Sequence, residues 1–178
     1  MELVRNVFFV GFMGAGKSTV ARKVARSCGV ASLDMDKYIE RSCGRTIPEI
    51  FDEGGEETFR RIETDTLREL CGKDGGMLIS CGGGIVKSEE NRQLLRDGGV
   101  VVHLMVDADE AAARISDKSS RPLFNDIESA RSLCAERRPL YEEVADFTVF
   151  TGDKDLRDIS REVRRYLSQE GVICQQQG

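Results

Sequence analysis

A glycine-rich segment near the amino terminus ends in residue types that bind phosphate and divalent metal ions. Residues 11–18 read GFMGAGKS and match the pattern G-x-x-x-x-G-K-[ST]. In this pattern backbone N–H groups surround a phosphate, the lysine reaches the β- and γ-phosphates, and the hydroxyl holds Mg²⁺. A glycine turn that caps a helix by chance is the alternative, and it is the weaker one because the pattern is so restrictive. The predicted nucleotide contacts are Gly11, Gly14, Ala15, Gly16, Lys17, Ser18 and Thr19.

Two aspartates end the next apolar segment. Residues 30–36 read VASLDMD and predict a short strand that finishes with Asp34 and Asp36. Phosphoryl transfer needs a carboxylate near the metal and a group that orients the attacking hydroxyl. One carboxylate could orient Mg²⁺ through water, and the other could accept the proton of the hydroxyl. Helix capping by Asp36 is the alternative, and it does not exclude the catalytic role.

Further glycines and arginines are candidates for holding an acceptor. Gly82–Gly84 follow an apolar strand, where their backbone could approach a ligand or simply turn. Arg121 lies in the polar segment 116–126, a predicted lid loop that could close on the transferred phosphoryl group. Arg137 and Arg138 precede Pro139 near a predicted helix end, where pairing with the helix dipole is the alternative. Arg60 lies among charged helical residues, and a solvated helix face is its ordinary explanation.

Five apolar segments alternate with helical patterns along the chain. The predicted strands cover residues 4–10, 30–36, 76–80, 100–106 and 146–150. The predicted helices cover about 17–28, 46–71 with a break at Gly54 and Gly55, 88–96, 107–114, a segment ending near 137, and 156–167. This alternation indicates an α/β fold, with a parallel sheet covered by helices on both faces. Ligands of such sheets bind at the carboxyl ends of the strands, where the motifs above fall.

Composition and charge argue against several other classes of function. The chain has 178 residues and a formal charge of −5, which does not favour nucleic-acid binding. Six scattered cysteines and one histidine indicate reduced thiols in a cytoplasmic protein rather than a metal centre. No apolar run approaches the length of a membrane span, and no N-K-x-D motif for guanine recognition is present. We expect one domain over residues 1–170, a disordered tail over 171–178, and a monomer without nucleic-acid or membrane partners.

Six motifs in a fixed order resemble those of the shikimate kinase family over nearly the whole chain. They read GFMGAGKST, the Asp34-Met35-Asp36 triplet, IPEIFDEGGEETFRRIE, SCGGGIV, RPLF and ERRPLYEEVAD. The resemblance implies a P-loop fold of the nucleoside-monophosphate-kinase type, a three-layer sandwich with a five-stranded parallel sheet in the order 2-3-1-4-5. It also implies transfer of the γ-phosphoryl group of MgATP to the 3-hydroxyl of shikimate, a step toward chorismate and the aromatic amino acids.

The resemblance also implies a role for each candidate residue. Asp36 would bind the shikimate hydroxyls and is the candidate base, while Arg60 and Arg137 would hold the shikimate carboxylate. Ser18 and Asp34 would serve Mg²⁺. The remaining roles that the resemblance implies are pocket lining by Gly82, Gly83 and Gly84, lid closure with Arg121, and a place near the adenine for Arg114.

Two other functions stay open at this point. A related kinase for gluconate or a nucleoside monophosphate would use the same phosphate loop. A nucleotide-binding protein without catalysis would bind ATP and not turn it over. Lys17, Asp34, Asp36 and Arg121 together argue against the second of these, because a binding protein has no use for a complete catalytic set.

Overall fold

The computed structural model describes residues 1–114 and 127–174. The whole predicted lid (116–126), Arg121 included, and the last four residues lie outside the described residues. In chain order the elements are β1 (Glu2–Leu3), β2 (Asn6–Val10), α1 (Lys17–Cys28), β3 (Ser32–Asp34), α2 (Met35–Cys43), α3 (Ile47–Cys71), β4 (Leu78–Ser80), a 3₁₀ turn (Ile85–Lys87), α4 (Glu89–Gly98), β5 (Gly99–Met105), α5 (Ala108–Arg114), α6 (Ile127–Val144), β6 (Phe147–Phe150), α7 (Leu156–Gln169) and β7 (Ile173–Cys174).

The five predicted strands form one parallel sheet. Its order is β3-β4-β2-β5-β6, so the five strands stand in the predicted order 2-3-1-4-5. In the centre, Val7 pairs with Leu78 on one side and with Val100 on the other. All five residues of β2 are buried, as the apolar run predicted. Two groups of helices cover the sheet: α1 packs on α7, while α4 packs on α3 and α6. The predicted α/β fold is confirmed.

Local sequence signals set several helix ends as predicted. Thr46 and Glu49 form a capping box at the start of α3, in which the Thr46 N–H donates to Glu49 Oε2 at 2.7 Å. The predicted break in α3 is a kink at Gly55, which has φ 70° and ψ −178°. Glycine adopts this backbone without strain, so α3 continues in a new direction after it.

Other element bounds differ from the prediction, each for a tertiary reason. Val4 and Arg5 separate β2 from β1, because β1 pairs antiparallel with β7 outside the main sheet. The predicted disordered tail is therefore wrong for Ile173 and Cys174, which form β7. The helix predicted to end near Arg137 continues through Pro139 to Val144. Burial of Tyr141 and Val144 stabilises this extension despite the hydrogen bond that a proline removes.

A buried asparagine joins the sheet to the end of α3. The Asn6 side-chain amide donates to the Leu70 carbonyl at 3.2 Å, and its oxygen accepts from the Met77 N–H at 3.1 Å. Asn91 is equally buried, but neither polar atom of its side chain has a hydrogen-bond partner within residues 1–114 and 127–174.

Replacing these two asparagines by leucine should therefore give different results. Asn6→Leu removes both bonds and leaves the Met77 N–H without this acceptor, so we expect it to lower the free energy of unfolding by about 1–3 kcal/mol. Asn91→Leu removes an amide whose burial is uncompensated, so we expect a loss below about 1 kcal/mol or a gain. Urea unfolding measures both. Equal losses would contradict the bridging role of Asn6.

Candidate active site

The phosphate loop joins β2 to α1 in a conformation that glycine makes possible. Gly14 has φ +79°, and a side-chain carbon there would lie 2.8 Å from the Ala111 carbonyl oxygen. Gly16 precedes α1 in the left-handed region, and no side chain caps the helix. The first N–H groups of α1 are therefore not bonded to a capping side chain. Such a helix start attracts an anion, as the sequence pattern predicts.

The side chain of Lys17 lies back over the phosphate loop. Its ammonium donates to the Gly11 carbonyl at 2.8 Å and to the Phe12 carbonyl at 3.1 Å. These bonds place a positive charge beside the start of α1. The positive charge of Lys17 and the positive end of the α1 dipole therefore attract an anion to the same place.

Three strand and helix ends meet at Ser18. Its hydroxyl donates to Asp34 Oδ2 at 2.6 Å and lies 2.9 Å from the Ser80 hydroxyl oxygen. Asp34 also caps α2, because its carboxylate accepts a hydrogen bond from the Lys37 N–H. The helix cap is therefore Asp34 and not Asp36. Mg²⁺ prefers oxygen ligands, among them hydroxyls, carboxylates, water and phosphate oxygens. The Ser18 hydroxyl and the Asp34 carboxylate therefore fit that ion. The sequence reasoning missed Ser80, whose pairing with Asp34 in the sheet depends on strand order.

Asp36 lies in the first turn of α2 and faces Gly82–Gly84, which we call the glycine segment. A side-chain carbon on Gly82 would lie 2.9 Å from Asp36 Oδ1 and 3.1 Å from Glu63 Oε1, so two carboxylates border this glycine. Glu63 is 1 % exposed, and sequence reasoning missed it. Burial raises the pKa of Glu63; the Arg60 charge opposes this rise, and the Asp36 charge adds to it. The sequence signal that could have indicated Glu63 is its i,i+3 spacing from Arg60.

Arg60 is held by two carboxylates over the end of the glycine segment. Its Nη1 donates to Glu63 at 2.7 Å and its Nε to Glu56 at 3.2 Å. A side-chain carbon on Gly84 would lie 2.5 Å from Arg60 Nη1. The Arg60 side chain is 25 % exposed, so the solvated-face interpretation is wrong.

Arg137 is a buried guanidinium in the middle of α6. It is 6 % exposed, its Nη1 donates to the Gly83 carbonyl at 3.3 Å, and its Nε has no partner among the described residues. Pairing with a helix carboxyl end is excluded, because α6 continues for seven residues beyond it. The neighbouring Arg138 is exposed and donates to Asp107 at 2.9 Å. A buried cation with an unpaired N–H is costly unless a ligand completes its bonds.

The phosphate loop opens into a cleft of about 640 Å³. Arg114 lies at one side, where its Nη2 donates to the Thr151 carbonyl at 2.6 Å and also pairs with Glu110. Lys154 and Leu156 also line the cleft, and sequence reasoning missed both. The predicted residues that line the cleft are Gly14, Ala15, Gly16, Lys17, Ser18, Thr19, Asp34, Asp36, Gly82, Gly83 and Arg114. The predicted residues Arg60, Gly84 and Arg137 do not line the cleft but lie next to it. Arg60 pairs with Glu63, which borders Gly82, Gly84 belongs to the glycine segment, and Arg137 bonds to Gly83.

A phosphate loop on a parallel sheet of this order, with carboxylates and arginines grouped beside it, defines a P-loop phosphotransferase of the nucleoside-monophosphate-kinase type. The sequence model of one family, shikimate kinase, matches residues 13–168. The chain belongs to the shikimate kinase family. No helix within the described ranges is long and apolar enough to cross a bilayer.

Individual relatives agree with this assignment. The chain is 42% identical over 168 residues to a shikimate kinase of Vibrio campbellii, covering 93% of this chain and 97% of the relative. It is 45% identical over 161 residues to a shikimate kinase of Pseudomonas aeruginosa, covering 89% of this chain and 93% of that relative. Among solved structures, a shikimate kinase from Acinetobacter baumannii in complex with shikimate has a TM-score of 0.88 at 36% identity, covering 95% of this chain and 96% of that one. A gluconokinase from Sinorhizobium meliloti, at 16% identity and a TM-score of 0.61, shares the fold alone.

The buried charge of Glu63 should make stability depend on pH. Its raised pKa means that the folded chain holds this proton more tightly than the unfolded chain does. The free energy of unfolding, relative to that of Glu63→Gln, should therefore be highest below about pH 4, near the ordinary glutamate pKa, and should fall as pH rises through the pKa of the folded state. Urea unfolding of both chains at several pH values measures this.

Glu49 provides a control of opposite sign. Hydrogen bonds from Thr46 lower the pKa of this exposed carboxyl. The stability of the protein relative to Glu49→Gln should therefore fall as pH decreases through the folded-state pKa. The difference in the free energy of unfolding between the protein and Glu63→Gln could instead be independent of pH, or could change with pH in the same direction as the difference for Glu49→Gln. Either result would show that burial does not dominate the pKa of Glu63.

Proposed function

We propose that this protein transfers the γ-phosphoryl group of MgATP to the 3-hydroxyl of shikimate and releases shikimate 3-phosphate. The observation that carries the proposal is the pair of guanidiniums, Arg60 and Arg137, on the glycine segment beside Asp36. Family membership, and the shikimate-bound relative that this chain resembles over 95% of its length, support the same acceptor. No specific observation favours a second function.

The acceptor carboxylate is assigned to the arginines. Each guanidinium can donate two parallel N–H bonds to a carboxylate. The Nε of Arg137 supplies a donor that no residue within 1–114 and 127–174 uses. Arg60 is oriented by Glu63 and Glu56, so it loses little side-chain entropy when a ligand arrives.

The acceptor hydroxyls are assigned to Asp36 and to the segment Gly82–Gly84. The missing side chain at Gly82 leaves the Asp36 carboxylate open toward the cleft. Asp36 then accepts a hydrogen bond from the 3-hydroxyl and orients its oxygen toward the phosphorus. Phosphoryl transfer asks for positioning and charge neutralisation more than for covalent chemistry, so orientation is the main contribution of this residue.

The nucleotide is assigned to the phosphate loop and its neighbours. Backbone N–H groups of residues 14–19 surround the phosphates, and Lys17 moves from the loop carbonyls to the β- and γ-oxygens. Ser18 and Asp34 hold Mg²⁺, which neutralises charge on the phosphates when bound. We assign Arg114 and Lys154, which line the cleft, to the base and ribose. We assign Arg121, in the predicted lid outside the described residues, to the transferred phosphoryl group.

The proposal also covers the oligomeric state and the cellular compartment of the protein. We propose a monomer in the cytoplasm. All six cysteines are free, as is ordinary in a reducing compartment.

A coupled assay of ADP release tests the proposal. The protein is supplied with MgATP and, separately, with shikimate, gluconate or AMP. Gluconate also carries a carboxylate, so the arginines alone do not separate it from shikimate, and the assay does. We expect ADP release only with shikimate. Release with another acceptor, or nucleotide binding without release, would overturn the proposal.

Lys17→Ala should remove most of the catalytic rate. Without the ammonium, charge that develops on the phosphates is less well neutralised, and we expect kcat to fall by at least about 10²-fold. The fold should persist, because the bonds shown for Lys17 join it to carbonyls of its own loop. Lys23→Ala, on the exposed face of α1, is the matched control and should keep full activity. Full activity of Lys17→Ala would mean that the role of the lysine is wrongly assigned.

Arg137→Ala should mainly weaken acceptor binding. Loss of a charge-assisted bond of about 1.5–3 kcal/mol predicts a rise of the shikimate KM by about 10- to 100-fold, with a smaller change in the KM for MgATP. Arg138→Ala removes the same charge one residue away, on an exposed side chain, and should change both values less than about twofold. Steady-state kinetics with each substrate varied gives the comparison. Similar effects of the two substitutions would count against the carboxylate assignment.

A further inference from the structure

The peptide units of Gly82–Gly84 are held by bonds from outside the segment. Glycine has little conformational preference of its own, so hydrogen bonds must fix the direction of each peptide. The Gly82 carbonyl accepts from the Ile85 N–H and the Gly84 carbonyl from the Lys87 N–H, both within the following turn. The bonds shown to the Gly83 carbonyl come from two side chains of α6, those of Arg137 and Tyr141.

Tyr141 makes the shorter of these two bonds. Its hydroxyl donates to the Gly83 carbonyl at 2.5 Å, whereas the Arg137 bond measures 3.3 Å. Tyr141 follows Arg137 by four residues, so both side chains lie on the same face of α6. The Tyr141 side chain is almost completely buried, and burial raises the pKa of its hydroxyl, which therefore stays protonated and able to donate.

The ring of Tyr141 is itself fixed by β5. It stacks on the His103 ring with centroids 5.2 Å apart and an interplanar angle of 29°. His103 also lies beside the start of the phosphate loop, because its Cδ2 would be 3.5 Å from a side-chain carbon on Gly11. Burial, with the charges of Arg138 and Lys17, lowers the pKa of His103 to about 4, so the ring is neutral at pH 7 and adds no charge beside Tyr141.

We propose that Tyr141 is a positioning residue for the acceptor, holding the Gly83 carbonyl so that the glycine segment keeps its binding shape when Arg137 engages the ligand. This inference rests on the proposed function. Arg137 cannot serve both partners equally well, since a carboxylate draws its donors more strongly than a neutral carbonyl does. The trans peptide is planar, so a fixed Gly83 oxygen also fixes the direction of the Gly84 N–H. Tyr141 therefore keeps that donor in place during binding.

Tyr141→Phe tests the proposal, because it removes the hydroxyl and keeps the ring that stacks on His103. Tyr166→Phe is the matched control: Tyr166 also stacks on a ring, that of Phe147, and donates to the backbone carbonyl of Asp146 at 3.3 Å, away from the site. The wild type and both variants are assayed for KM and kcat with shikimate and MgATP varied in turn. Thermal unfolding and direct titration with ATP accompany the kinetics.

For Tyr141→Phe we expect the shikimate KM to rise about 5- to 30-fold, the loss typical of one buried hydrogen bond. The KM and affinity for ATP should change less than about twofold, and the melting temperature should stay close to that of Tyr166→Phe. An unchanged shikimate KM would overturn the proposal. So would equal losses for both substrates or a chain that no longer folds, since either would make Tyr141 a purely structural residue. A wild type without shikimate-dependent ADP release would instead defeat the proposed function, so the two failures are distinguishable.

Discussion

Parallel pairing of three neighbouring strands is the constraint on which the whole site depends. Because β3, β4 and β2 run in the same direction, Asp34, Ser80 and the phosphate loop all emerge at one edge of the sheet. The bonds of the Ser18 hydroxyl with Asp34 and Ser80 then connect these strand ends directly. An antiparallel strand at the β4 position would move Ser80 and the glycine segment to the opposite edge. The residues that we assign to Mg²⁺ and those that we assign to the acceptor would then be separated by the length of the sheet.

In the part of the site that we propose for the acceptor, buried charges of opposite sign offset one another. Glu63 is almost inaccessible, and its cost of burial is offset by Arg60 and by the field of Arg137. This arrangement gives two guanidiniums close to one another without an excess of positive charge. It also makes the pocket sensitive to the loss of either sign, because removal of one partner leaves the other charged and buried.

Sequence reasoning identified those features that local patterns encode. The phosphate loop, the Thr46 capping box and the kink at Gly55 each depend on a few adjacent residues, and the structure shows all three. The strand order came from the resemblance to a family, because neither composition nor periodicity states which strands are neighbours. Ser80, Glu63 and Tyr141 were missed because their importance comes from residues far away in the chain. The extension of α6 past Pro139 was missed for a related reason: burial of a helix face outweighed a local breaking signal.

Helix α6 is attached to two functional regions at once, and this has a consequence for how they communicate. Toward its start, Arg131 pairs with Asp109 of α5, the helix that ends in Arg114, which lines the cleft beside the phosphate loop. Further along, Arg137 and Tyr141 contact the glycine segment. A small rotation or translation of α6 would therefore change the contacts of both regions at once. By thermodynamic reciprocity, if one substrate shifts this helix and so changes the affinity for the other, the second changes the affinity for the first by the same factor.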